Sequence, residues 1–138
     1  PWIDVPASAE QINVAAQADD PQSILTYYRA LISARHVIPA LTDGTFTRID
    51  ASVPALFVYR RSAPGSDVLV MVNMSGEHHT PLFSSGDEAV ASLPWRLYLG
   101  NTDTSFVKTD DAFDHIQSEP TVTTPMRPWE ARVYLLTD

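Results

Sequence analysis

DDPQSILTYYRALISARHVIP, residues 19–39, dictates how the rest of the chain must be arranged. Asp20 has the side-chain oxygen that an N-cap uses on the free N–H groups of a first turn, and Pro21 suits the first helical position. Pro39 disfavours helix in the residue before it, so the spacing predicts a helix over about 21–37, ending near His36 or Val37. At about 100° per residue, Ile24, Leu25, Tyr27, Tyr28, Leu31, Ile32 and Ala34 cover roughly half the circumference. A helix with so wide an apolar stripe has to bury it against other layers. No second strong helix follows to receive it, so the segment reads as the last helix of something larger, docked against a following β domain.

Downstream of Leu41 the apolar period changes from helical to two. TFTRI (45–49) follows the Asp43-Gly44 turn, and ALFVYRR (55–61) pairs naturally with DVLVMVNM (67–74) across the Pro64-Gly65 turn. Val68, Val70, Val72 and Met74 share one face of the latter strand and Leu69 and Met71 the other, the signature of a central strand. A weaker strand is expected over His78–Phe83. WRLYLG (95–100) sets Trp95, Leu97 and Leu99 against Arg96 and Tyr98. TVTTPM (121–126) is expected at an edge because Pro125 lacks an N–H, and WEARVYLLT (129–137) closes the chain. Residues 84–93 read as loop. The polar stretch 101–118 also reads as loop, anchored by Phe106, Phe113 and Ile116. The expected fold is mainly β: an antiparallel Greek-key β-sandwich of about seven or eight strands preceded by one α-helix. Residues 1–18, with isolated Trp2, Ile3, Val5, Ile12 and Val14, read as an ordered loop lying over another surface, or as a frayed terminus.

Composition excludes several function classes. A length of 138 residues with 44% hydrophobic and 19% charged residues is that of a globular domain with a real core. A net charge of −8 argues against nucleic acid, whose phosphates need Lys and Arg, and against an anionic membrane surface. No apolar run approaches the ~20 residues of a transmembrane helix. The lack of cysteine removes disulfides and thiolate chemistry and suits a reducing compartment. The first residue is Pro rather than Met, so a cut or processed piece is expected.

The residues single out no catalytic group, no cofactor site and no metal site. Glu77-His78-His79 is the nearest to a metal cluster, but neighbours on a strand point to opposite faces. Asp103, Asp110, Asp111 and Asp114 lack the oxygen spacing and glycine of a calcium loop. No Ser sits in a nucleophile elbow, and no Gly-rich phosphate loop exists. Arg35 falls near the centre of the apolar stripe, where a guanidinium is costly unless paired. Three readings stay open for it: interaction with the helix C-terminus, an ion pair with a carboxylate across the domain boundary, or a substrate contact. Trp2, Tyr98 and Trp129 could stack on sugar rings, although aromatic residues at strand spacing more often serve core or interface.

Residues 12–46, INVAAQADDPQSILTYYRALISARHVIPALTDGTF, resemble the segment that ends the catalytic barrel in α-glucosidases of the α-amylase type, glycoside hydrolase family thirteen. The nearest subgroup is the oligo-1,6-glucosidases, with their INV-x-x-Q run, DP-x-SIL-x-YY helix, LI-x-x-R and PAL-x-x-G. Pro1-Trp2-Ile3, VLVMVNMS (68–75) and PWEARVYLL (128–136) are similar to further parts of the same enzymes, while DVPASAEQ (4–11) departs from their usual Asn-Pro-Asn-type stretch. The resemblance implies that residues 1–42 are the loop and last helix of a truncated (β/α)8 catalytic barrel and 43–138 a C-terminal β-sandwich domain. It implies a cytoplasmic parent that hydrolyses α-glucosidic bonds with retention, using a carboxylate nucleophile and a carboxylic acid located upstream of Pro1. The expected role of this piece is therefore non-catalytic: it packs against the barrel, and α-gluco-oligosaccharide is met only by the parent. A carbohydrate-binding β-sandwich module and the same domain of a transglycosylase or sucrose isomerase are the alternatives.

Overall fold

The computed structural model describes residues 2–83, 88–102 and 121–137. A 3₁₀ turn (Ala7–Glu10) and short helix α1 (Val14–Ala18) lead into α2 (Ile24–Val37) and α3 (Pro39–Asp43). Strands β1 (Thr45–Ile49), β2 (Leu56–Ala63) and β3 (Ser66–Asn73) follow, then α4 (Glu88–Ser92), β4 (Trp95–Gly100) and β5 (Ala131–Leu136). The five strands form one antiparallel sheet in the order β1-β2-β3-β5-β4, so β3 is central, as its two apolar faces require.

The long helix starts three residues later than Asp20 and Pro21 suggest. Ser23 is the cap, its hydroxyl oxygen accepting from the Thr26 N–H at 3.1 Å while its own proton goes to the Gln17 carbonyl at 2.8 Å. Asp20 instead accepts from the Gln22 N–H and stabilises the turn that holds Pro21. The C-terminal end is where Pro39 puts it, and Pro39 itself opens α3. α3 then meets β1 at Gly44, whose position leaves no room for a side chain: a Cβ there would lie 2.3 Å from the Ala40 carbonyl oxygen.

The fold is mainly β and antiparallel, consistent with a β-sandwich, but the described residues supply five strands rather than seven or eight. The stretch 78–83 contributes only a bridge from His79 to Met126, and 121–126 is a turn ending in that same bridge. Pro81 and Pro125 lack the N–H that a longer ladder would use. Residues 88–92 are helical rather than loop. Most of 101–118, with Phe106, Phe113 and Ile116, lies outside the described residues.

Each sheet face has its own core. One is built from Ile49, Leu56, Val58, Leu69, Met71, Leu97 and Tyr134, closed over by Ala51, Val90, Val122 and Met126. On the other face Val68, Val70, Leu99 and Val133 receive Ala34, Ile38 and Ala40 from α2 and α3. Leu97 and Leu99 thus belong to opposite cores, although strict alternation puts them on one face. A register shift between them against β5, a β-bulge, turns Leu99 over to the helix side.

Candidate functional site

The feature that asks for a partner is the surface around α2. Tyr27, Ala30, Leu31 and Ala34 face the sheet, yet the adjoining row Ile24, Tyr28 and Ile32, spaced i, i+4, i+8, points outward. These three are 72%, 60% and 55% exposed. The apolar stripe is therefore wider than the sheet can cover: within the described residues Ala34 is buried, Tyr27, Ala30 and Leu31 are half-buried, and the outer row is bare. The N-terminal segment adds exposed Trp2, Ile3, Val5, Ile12 and Val14. Its caps are nevertheless in place: Asn13 accepts from the Ala16 N–H at 2.8 Å, and Gln17 Oε1 accepts from the Leu25 N–H at 3.1 Å. The segment thus combines a hydrogen-bonded backbone with bare apolar side chains.

The same side of the sheet continues the patch. Phe46 and Phe57 flank Tyr59 with ring centroids 5.2 and 5.5 Å away, and both Phe rings remain exposed. Between this cluster and α2 opens an apolar cavity of about 300 Å³, bounded by Tyr27, Leu31, Tyr59, Val72 and Val133, with Arg35 on its wall. Burial pushes the phenols of Tyr27 and Tyr59 up. The neighbouring Tyr28 adds to the rise at Tyr27, and the charge of Arg61 opposes it at Tyr59.

Charge is distributed unevenly around this patch. α2 contains Arg29, Arg35 and His36 and no Asp or Glu, in a chain with seventeen of them. Arg48, Arg61 and Arg96 stand opposite Tyr59, Val68 and Leu135 across the ladders, on the same sheet face. Arg61 is used internally, donating from Nη2 to the Thr42 and Gly44 carbonyls where α3 ends. Arg35 is exposed and pairs with no carboxylate among the described residues.

A buried polar cluster, which sequence reasoning missed, fastens the turn before β5. Glu130 and Arg132 form a bidentate pair, and Arg132 also donates to the Thr124 and Pro125 carbonyls at 2.9 and 2.8 Å. Burial by itself pushes the Glu130 carboxyl up. Hydrogen bonds from Arg132, the Arg127 N–H and Thr102, with the Arg132 charge, outweigh this and hold it below its ordinary range. Asn73 donates to the Glu77 and Arg127 carbonyls, and Asn101 to that of Trp129. The legible signal was the i, i+2 spacing of opposite charges on a strand, which places both on one face. With every lone pair engaged, this cluster is a clasp, not a reactive site.

The other sequence candidates do not converge. His79 lies beside Ser75, its Nε2 3.0 Å from the hydroxyl, while His78 and Glu77 are exposed. Among the described residues no three His, Asp or Glu side chains are placed to hold a metal ion. Asp103, Asp110, Asp111 and Asp114 lie outside the described residues. Of the three aromatics, Trp2 sits in the N-terminal segment and Tyr98 packs against the helix-side core. Trp129 occupies the Arg127–Glu130 turn at φ 58°, with its exposed ring over Gly76. No described helix is long and apolar enough to cross a membrane.

No family model matches the chain. It is 32% identical over 136 residues to the oligo-1,6-glucosidase of Heyndrickxia coagulans, a match covering 99% of this chain and 20% of that protein. Against the trehalose-6-phosphate hydrolase of Bacillus subtilis (strain 168) it is 30% identical over 137 residues, 99% of this chain and 22% of the relative. The structure is similar to that of the trehalulose synthase from Pseudomonas mesoacidophila MX-45, with a TM-score of 0.69 and 26% identity over 99% of this chain and 22% of that one. The chain spans about a fifth of the length of the curated relatives it matches.

Proposed function

For a chain that is a C-terminal piece of an α-amylase-family enzyme, we propose that the face around α2 is the seat of the catalytic (β/α)8 barrel supplied by the rest of the protein. In this reading residues 1–42 complete the barrel as its final loop and helix, and 43–138 form the β domain behind it. The observation that carries the reading is the exposed row Ile24-Tyr28-Ile32, together with the exposed apolar side chains of the N-terminal segment. At ~25 cal/mol per Å², covering three such side chains contributes several kcal/mol, on the scale of a whole domain's stability. Leaving them in water in a free-standing protein would forgo that and invite aggregation.

The parent reaction we assign is retaining hydrolysis of α-glucosidic bonds in oligosaccharides; the name of the Heyndrickxia relative, an oligo-1,6-glucosidase, supports the glucosidase part of that assignment. Two carboxyl groups perform that chemistry, and in this reading both come from the upstream barrel. This piece acts at a distance, by holding the barrel's last helix in place. A cytoplasmic setting belongs to the reading, and a chain without cysteine suits it.

Similarity to the trehalulose synthase structure favours one other reading of the parent, a sucrose isomerase. Assaying the full-length protein on isomaltose and on sucrose decides between them: glucose release from isomaltose is expected, and conversion of sucrose to an isomer without net hydrolysis would replace the first reading by the second. The 138-residue piece alone is expected to give no turnover on either sugar. Activity above background in it would end the non-catalytic assignment.

A further inference from the structure

Arg35 stands at about 20° on the helical wheel when Ile24 is set at 0°, between Ile24 and Tyr28 at about 40° and beside Ile32 at about 80°. It is thus part of the uncovered row, not of its rim, and its side chain also borders the apolar cavity. Whatever covers Ile24, Tyr28 and Ile32 must also cover this guanidinium. A desolvated cation with no counter-charge costs more than the neighbouring apolar contacts return. No carboxylate within the described residues meets it, and α2 has no acidic residue of its own.

We propose that the covering surface, the catalytic part of the parent chain, brings an Asp or Glu side chain against Arg35, forming a desolvated ion pair that fixes the register of α2 on its seat. This rests on the docking reading above and adds the chemistry of the partner: apolar ground around one carboxylate. Charge complementarity supports that choice of occupant. Helix α2 itself holds Arg29, Arg35 and His36 and no acid, whereas the chain as a whole is at −8. A second copy of the same positive face would bring Arg35 against its own kind.

Hydrogen exchange of the α2 amides in the full-length protein tests this, because it reports how often that segment opens. Arg35→Met removes the charge and keeps the stem; Arg35→Lys keeps the charge. At a solvent-exposed helix C-terminus, losing only the favourable interaction with a cation speeds exchange by about 5-fold at most. Breaking a desolvated ion pair speeds it by about 30-fold or more. We expect the larger change for Arg35→Met, with Arg35→Lys recovering most of the protection. A change of 5-fold or less for Arg35→Met overturns the ion pair, as does an Arg35→Lys as unprotected as Arg35→Met. Ile32→Asp separates the two layers of the argument: exchange unchanged by it removes the docking reading itself, while strong deprotection by it with Arg35→Met silent removes the ion pair alone. Protection that falls on dilution assigns the face to a second copy and also overturns the proposal.

Discussion

Arg132 holds both carboxylate oxygens of Glu130, from Nε and from Nη2 at 2.8 Å each, although the two residues lie only two apart in the chain and each is 3% exposed. Such closeness follows from strand geometry, which returns every second side chain to the same face. The remaining donors and acceptors reach Thr102, Thr124, Pro125 and the Arg127 N–H, so the pair closes the turn that leads into β5.

Arg132→Met is expected to destabilise the protein by about 3–5 kcal/mol, because it leaves Glu130 charged, buried and without its fork. Replacing both residues by apolar ones of similar volume is expected to cost less than either single change. Urea unfolding of the three variants measures this; equal losses for single and double replacement would mean that the pair does not act as a unit.

Acid should open the same clasp. Glu130 has its folded-state pKa below the ordinary 4.5, so its contribution is fully present above that value and is lost as pH falls through the folded pKa. Thermal unfolding followed downward from pH 5 is expected to show a steeper fall for the native protein than for Glu130→Gln. Parallel curves would place the acid sensitivity elsewhere.

Two glycines are expected to resist alanine for different reasons. Gly44 has φ −64°, ordinary for any residue, but a Cβ would strike the Ala40 backbone, so Gly44→Ala should cost about 1–3 kcal/mol by overpacking. Gly65 has open space around it but φ 69°, so Gly65→Ala should cost about 1–2 kcal/mol through backbone strain. Gly65→Asn, which tolerates that conformation, is expected to recover part of the second loss and would do nothing for the first position. Melting temperatures of the three variants distinguish the two causes.

Tyr28→Ser touches an exposed side chain and is expected to change the stability of the 138-residue piece by no more than about 0.5 kcal/mol. In the full-length protein the same change is expected to cost about 2 kcal/mol or more, since there the ring loses a buried site. Equal effects in both settings would mean that nothing covers the row.

Much of this architecture is legible in the residues, where local rules act alone. The β2–β3 hairpin follows from alternation and Pro64-Gly65, and the end of α2 from Pro39. Where two local signals compete, the outcome needs tertiary contacts: Asp20 and Ser23 are both good caps, and Ser23 wins because Gln17 lies within reach of its hydroxyl. The bulge after Leu97 leaves no mark in WRLYLG, since Leu suits either face and only the pairing with Val133 shows which one it takes. The short pieces around His79 and Met126 have strand-like composition, but their prolines limit the ladder to one bridge. As for the site, the excess width of the apolar stripe was readable from spacing alone. Which half of it the sheet would claim was not, because that depends on how α2 lies across β3 and β5.

The helix-side core has a practical corollary for anyone splicing such enzymes together. Val68, Val70, Leu99 and Val133 are sealed by Ala34, Ile38 and Ala40, and the Ala40 N–H is tied to the Ser66 hydroxyl at 3.2 Å. A chimaera joined at Gly44 would therefore transplant a sheet with one side stripped. A junction upstream of Gln17, carrying the cap of α2 along with both helices, moves the sheet and its lid as a single heritable block.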